Sequence, residues 1–133
     1  MSPKRRPPDV TDAELQVLKQ LWEGGAATIR QLTDRLYPGG ATAHYATVQK
    51  LLERLESKSC VQRRQEGRVN VFSAGIGRET LIARRLRETA DSLCEGSLSP
   101  LLSQLVSSSE LTPDELATLR ELVEGLDRRG RRR

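Results

Sequence analysis

The sequence predicts a mainly α protein: a winged helix-turn-helix domain with a C-terminal helical dimerisation extension. Three observations carry this. Three short helical segments precede residue 59, and the third, basic and amphipathic, runs straight into a hairpin with a Glu66-Gly67 turn. After Ser73-Ala74-Gly75 the strand signals stop, and apolar residues recur at helical spacing as far as Leu126. A chain of 133 residues is long enough for one domain, or for one small domain with an extension.

Thr11 opens the first helix. It stands three residues before Glu14, the capping-box spacing in which each side chain satisfies the other residue's free amide. Leu15, Leu18, Leu21 and Trp22 fall on one face, Trp22 reading as a core anchor, and Gly24-Gly25 stops the run. Ala26-Ala27 is long enough only for a strand fragment that pairs with the later hairpin. Thr28 caps a second helix through Tyr37, with Ile29, Leu32 and Leu36 inward, and Pro38-Gly39-Gly40 ends it. The third helix starts near Thr42 or Ala43 and runs to about Lys58, with Val48, Leu51, Leu52 and Leu55 as its buried stripe. In the hairpin, Val61 lies on one arm and Val69, Val71 and Phe72 on the other; the pattern leaves open which of them point inward.

Beyond the hairpin every element is helical. Ile76 to about Cys94 carries Leu81, Ile82, Leu86 and Leu93 among arginines. Ser97 to Val106 is shorter, with Pro100 in its first turn, where a missing amide does little harm. Ser107-Ser108-Ser109 links to Thr112, which caps a last helix through about Leu126 with Glu115 completing a second capping box. Leu116, Leu119, Leu122, Val123 and Leu126 form its apolar stripe. The organisation expected is a flexible basic arm over 1–10, a winged helix-turn-helix domain over 11–75, a helical dimerisation domain over 76–127, and a basic tail over 128–133 that frays.

Composition narrows the function. Aromatic residues make up 3% of the chain, so aliphatic side chains carry the packing. Leu81, Leu86, Leu102, Leu105, Leu119 and Leu122 are more apolar groups than three isolated helices can bury, which points to a second copy as their partner. The net charge is +4: residues 1–77 hold 12 Lys/Arg against 8 Asp/Glu, whereas residues 78–133 hold 10 of each. The excess therefore sits in the half with the helix and hairpin, as a polyanion partner requires, although a merely solvated basic surface looks the same. Cys60 and Cys94 are too few for a zinc site or a disulfide framework, and His44 is the only histidine. No metal or cofactor is expected. No apolar run suits a membrane span and no signal peptide is evident, so the expected location is the cytoplasm. No nucleophile has an activating base and there is no glycine-rich phosphate loop, which argues against an enzyme.

Projected at ~100° per residue, the third helix places Ala43, Ala46, Lys50 and Glu53 opposite its leucine stripe, with Thr47 and Gln49 flanking them. Small alanines let the backbone approach a groove floor. Gln49 suits an adenine edge, Thr47 a thymine methyl or a phosphate, and Lys50 guanine or phosphate. Arg54, further along, suits phosphate, and His44 and Tyr45 occupy the first turn, beside the groove. Many solvent-facing helices carry such residues, so the hairpin matters: Arg63, Arg64 and Arg68 crowd its tip, and Glu66 offsets only one of them. A wing beside the minor groove would supply the missing anion.

These residues also carry a resemblance. TDAELQVLKQLW in the first helix, ATVQKLLERLESKS in the third, QEGRVNVFS in the wing and LTPDELATLRELVE at the end resemble the penicillinase-repressor family of bacterial winged-helix regulators, the BlaI/MecI/CopY type, in order and spacing from Thr11 to Leu126. The resemblance implies a homodimer bound to a palindromic double-stranded DNA operator, with C-terminal helices interlocked. It implies groove-facing Ala46, Thr47, Gln49 and Lys50, with Arg63, Arg64 and Arg68 on or beside the wing. Ala46 replaces a longer residue usual in the family, and Ser59 replaces a glycine. Relatives controlling β-lactam resistance are cut by a regulatory protease at an Asn-Phe bond in the dimerisation region; the matching pair here is Gln104-Leu105, which departs from that pattern. The copper-responsive branch carries a C-terminal cysteine cluster, of which this chain has only Cys94. The competing reading is a winged-helix protein-interaction module without direct DNA contact.

Overall fold

The computed structural model describes residues 9–40, 42–107 and 111–131. Most of the basic arm, the Ser108-Ser109 part of the serine link and the last two arginines lie outside the described residues. The elements are α1 Asp12–Gly24, α2 Ile29–Leu36, α3 Thr42–Ser57, β1 Val61–Glu66, β2 Val69–Ala74, α4 Arg78–Leu93, α5 Ser99–Ser107 and α6 Pro113–Arg131. The chain divides into two compact units, one through Ile82 and one from Ala83.

In the first unit, α1, α2 and α3 pack around a core of Val17, Leu18, Leu21, Leu32, Val48, Leu52 and Leu55. Both short helices begin on capping boxes. Thr11 and Glu14 exchange side-chain and backbone hydrogen bonds at the start of α1, and Thr28 and Gln31 do the same at α2. β1 and β2 form an antiparallel hairpin, and Ala27 adds a single bridge to Phe72, so the Ala26-Ala27 fragment is the minimal third strand. Phe72 is 1% exposed and closes the core from the sheet side, with Val61 and Val71 also buried. Val69, by contrast, faces solvent.

Two further links fix the exit from the wing. The Trp22 indole Nε1 donates to the Ile76 carbonyl at 2.8 Å, and the Arg78 guanidinium lies 5.2 Å from the centre of the Trp22 ring. Leu81, which the periodicity assigned to a face between copies, is instead buried in this core at 4% exposure. The first turn of α4 therefore belongs with the winged helix.

The second unit contains the rest of α4, then α5 and α6. Glu95 and Gly96 take positive φ values of 53° and 87° as α4 ends, and the Gly96 amide reaches back to the Ala90 carbonyl at 2.9 Å. Thr112 and Glu115 form the expected capping box at α6. Pro113 follows as the first helical residue, where it costs no hydrogen bond. α6 runs to Arg131, past the end near Leu126 that its apolar stripe suggested. No described residue of α5 or α6 is buried.

Candidate nucleic-acid interface

α3 is built on one hidden and one open face. Val48, Leu52 and Leu55 are fully buried and Leu51 nearly so, whereas Ala43, Tyr45, Ala46, Thr47, Gln49, Lys50, Glu53 and Arg54 are all exposed. The predicted reading face is therefore a single continuous surface. Thr47 Oγ1 donates to the Ala43 carbonyl at 3.1 Å, which leaves the hydroxyl oxygen able to accept.

The first turn of α3 divides its two predicted contacts. The His44 ring stacks on Tyr37, with centroids 4.2 Å apart and planes 7° from parallel. His44 thus braces the turn between α2 and α3. Gly40 sits in this brace: a Cβ there would lie 2.5 Å from His44 Nδ1 and 2.8 Å from the Tyr37 carbonyl oxygen, a space only glycine fits. Tyr45 instead faces outward and, with Arg30, Thr33, Asp34, Gly40 and Thr42, lines a cleft of about 430 Å³.

The end of α3 is held on two sides. Lys58 Nζ donates to Glu14 Oε1 at 2.5 Å and to the Asp9 carbonyl at 2.8 Å, tying it to the start of α1. Glu14 is completely buried. Burial alone would raise its pKa, but the Lys58 ammonium and the Thr11 amide outweigh that and hold it below the usual glutamate value. On the other side Glu56 accepts from Arg63 Nη2 at 2.9 Å and Nε at 3.2 Å, a fork that joins α3 to β1. Ser59 adopts φ 62°, and the Cys60 amide reaches the Leu55 carbonyl at 2.8 Å, so the helix ends in a left-handed turn with serine where glycine is the easier residue.

The wing's turn falls one residue later than the sequence suggested. Glu66 pairs with Val69, so Gly67 and Arg68 are the two turn residues, with Gly67 at φ 62°. Its three arginines differ sharply. Arg63 lies directly opposite Phe72, with its guanidinium carbon 5.0 Å from the ring centre and its fork on Glu56. Arg64 pairs with Glu66 at 2.6 Å and both remain well exposed. Arg68, at the tip, has no ion-pair partner among the described residues. Gln104 and Leu105 are exposed on α5, in the second unit.

Sequence reasoning missed Glu56 and Lys58, and read Gly40 only as part of the turn after the second helix. The partners of Glu56 and Lys58 lie on other elements, and the His44–Tyr37 stack that Gly40 makes room for depends on the folded turn, so no local pattern marks these roles. Among the described residues no group of three or more His, Cys, Asp or Glu could hold a metal ion, and no helix is long and apolar enough to cross a membrane.

The family model described as Penicillinase repressor matches residues 10–125. The penicillinase repressor of Bacillus licheniformis is 25% identical over 117 residues, covering 88% of this chain and 91% of that protein. Two solution structures are also similar. The DNA-binding domain of the repressor BlaI is 27% identical at a TM-score of 0.47, over 57% of this chain and 92% of that one. The monomeric form of Bacillus licheniformis BlaI in complex with the blaP half-operator is 29% identical at 0.46, over 56% and 90%. Because the family model spans nearly every element described above, from the residue before the first cap to the penultimate turns of α6, the chain belongs to the penicillinase repressor family.

Proposed function

We propose that this protein is a homodimeric transcriptional repressor, working in the cytoplasm, that reads a palindromic double-stranded DNA operator with α3 and the wing. The observation that carries the reading is the division of α3: an aliphatic stripe buried beneath, and an open face of Ala46, Thr47, Gln49 and Lys50 above, with Arg64 and Arg68 on the adjoining wing. Gln49 and Lys50 are the base-edge candidates; Arg54, Tyr45, Arg64 and Arg68 suit the phosphates on either side. Family membership points the same way. The relative that covers most of this chain is itself named a repressor.

Dimerisation is supported by the second unit. Leu102, Leu122 and Leu126 are 55%, 62% and 62% exposed, and α5 and α6 bury nothing on their own account. Exposed apolar surface on this scale marks an interaction face. A second copy also supplies the second half-site reader, raising affinity by avidity. Scission at Gln104-Leu105 by a regulatory protease would cut α5 and separate α6 from the winged helix, and operator release would follow from loss of that avidity.

Binding of the purified chain to palindromic fragments from its own promoter, measured at several salt concentrations, tests the proposal. Tight binding that weakens steeply with salt, and that falls when Gln49 and Lys50 are replaced by alanine, is expected. Absence of salt-dependent retention of every fragment would point to an interaction module instead, and equal retention by the alanine variant would take the readout off Gln49 and Lys50.

A further inference from the structure

The wing of a DNA reader is useful only if its attitude to the reading helix is fixed, and one ion pair in this chain spans that joint. Glu56 lies in the last turn of α3 and Arg63 is the third residue of β1. Between them the chain turns through Ser59, a non-glycine residue at φ 62°. Arg63 donates through both Nε and Nη2 to the two Glu56 oxygens, and its guanidinium also covers Phe72, the sheet's contribution to the core. One edge of its fork and one face of its plane are therefore committed within the protein.

Alternation along β1 sharpens the point. Arg63 and Arg64 leave the strand on opposite faces, because successive strand side chains do. Arg63 is on the Phe72 face, whereas Arg64 shares the opposite face with Glu66, two residues on. The wing thus separates an arginine turned toward the body of the domain from those at its outer side and tip.

We infer that Arg63 is a positioning residue and not a phosphate anchor: with Glu56 it forms a strut that sets the angle of the wing against α3 and so places Arg64 and Arg68 on the DNA backbone. This rests on the DNA-binding reading above. Glu56 is then a determinant of operator affinity although it carries the charge that phosphate repels. The strut predicts a sign that simple electrostatics does not. Removing an acid beside a DNA-binding surface ordinarily tightens binding; here it loosens it.

The test measures binding of the intact chain to a promoter duplex across a salt series, with thermal melting to confirm that each variant is folded. Glu56→Gln and Arg63→Ala are expected to weaken binding by about two- to five-fold, the size to which an exposed ion pair's coupling converts. Neither changes the slope of log affinity against log salt, whereas Arg68→Ala lowers that slope by about one. The exchanged pair Glu56→Arg with Arg63→Glu recovers part of the loss. Tighter binding by Glu56→Gln, a lower slope for Arg63→Ala, or no effect of either would overturn the strut while leaving the DNA reading intact. Absence of binding by the unaltered chain to every duplex would overturn the DNA reading, and the strut with it.

Discussion

Ser59 holds a backbone conformation, φ 62°, in which a Cβ crowds the neighbouring carbonyl. Its role is geometric, since it lets α3 end and the chain turn into β1. Ser59→Gly removes the crowding, and we expect it to stabilise the protein by about 0.5–1 kcal/mol, less than the full left-handed penalty because glycine is also freer when unfolded. Chemical denaturation at neutral pH measures this directly. Glu14 makes the opposite kind of contribution. Its folded pKa lies below the usual 4.5, so the Lys58 interaction is fully present above that value and is lost as pH falls through the lower folded value. Glu14→Gln keeps a capping-box side chain but leaves the Lys58 ammonium without its carboxylate. A loss of about 1–3 kcal/mol is expected at pH 7, shrinking as pH is lowered below the ordinary glutamate range. A pH-independent loss would mean that the pair contributes through shape alone.

At the scale of elements, local signals were legible and distant pairings were not. Thr11 with Glu14, and Thr112 with Glu115, are three residues apart, and both capping boxes form as expected. The α3 stripe emerged at its predicted positions because a 3.6-residue period is written into the chain itself. By contrast, Lys58 meets Glu14 across 44 positions, and Arg63 meets Glu56 only after a turn whose geometry a serine disguises. The hairpin was placed correctly, but its turn shifted by one residue, since one glycine between polar neighbours fixes the bend without fixing the register. That shift matters for function because it moves Arg68 into the turn. Arg68→Ala should therefore weaken binding to all duplexes by a similar factor. Lys50→Ala should weaken a preferred sequence more than others, by about tenfold if it reads a base edge. Competition binding with matched and scrambled duplexes separates the two. Equal losses on both duplexes for Lys50→Ala would place that lysine on phosphate.

At the scale of the whole molecule, the two units differ in what they bury. The first has a closed core from Val10 to Leu81 and presents a polar, basic surface. The second exposes apolar side chains, Leu93 at 78% among them, and holds equal numbers of acidic and basic residues from position 83 onward. The leucine excess was visible in the sequence; the fate of each leucine was not. Leu81 went to the winged-helix core, because the first turn of α4 docks beside Trp22 and Ile76. Leu122→Glu, placed on the open face of α6, should shift sedimentation toward the monomer and lower operator affinity by well over tenfold, while the melting of the first unit changes little. An unaltered dimer would move the interface to another face.

The most direct test of the account is the stoichiometry of the complex on a near-palindromic duplex from the protein's own promoter, by sedimentation at low and high salt. Two chains per duplex, bound cooperatively at low salt and released as salt rises, is the predicted result. One chain per duplex, or no salt-dependent complex with any such fragment, would contradict the account of a two-fold DNA reader.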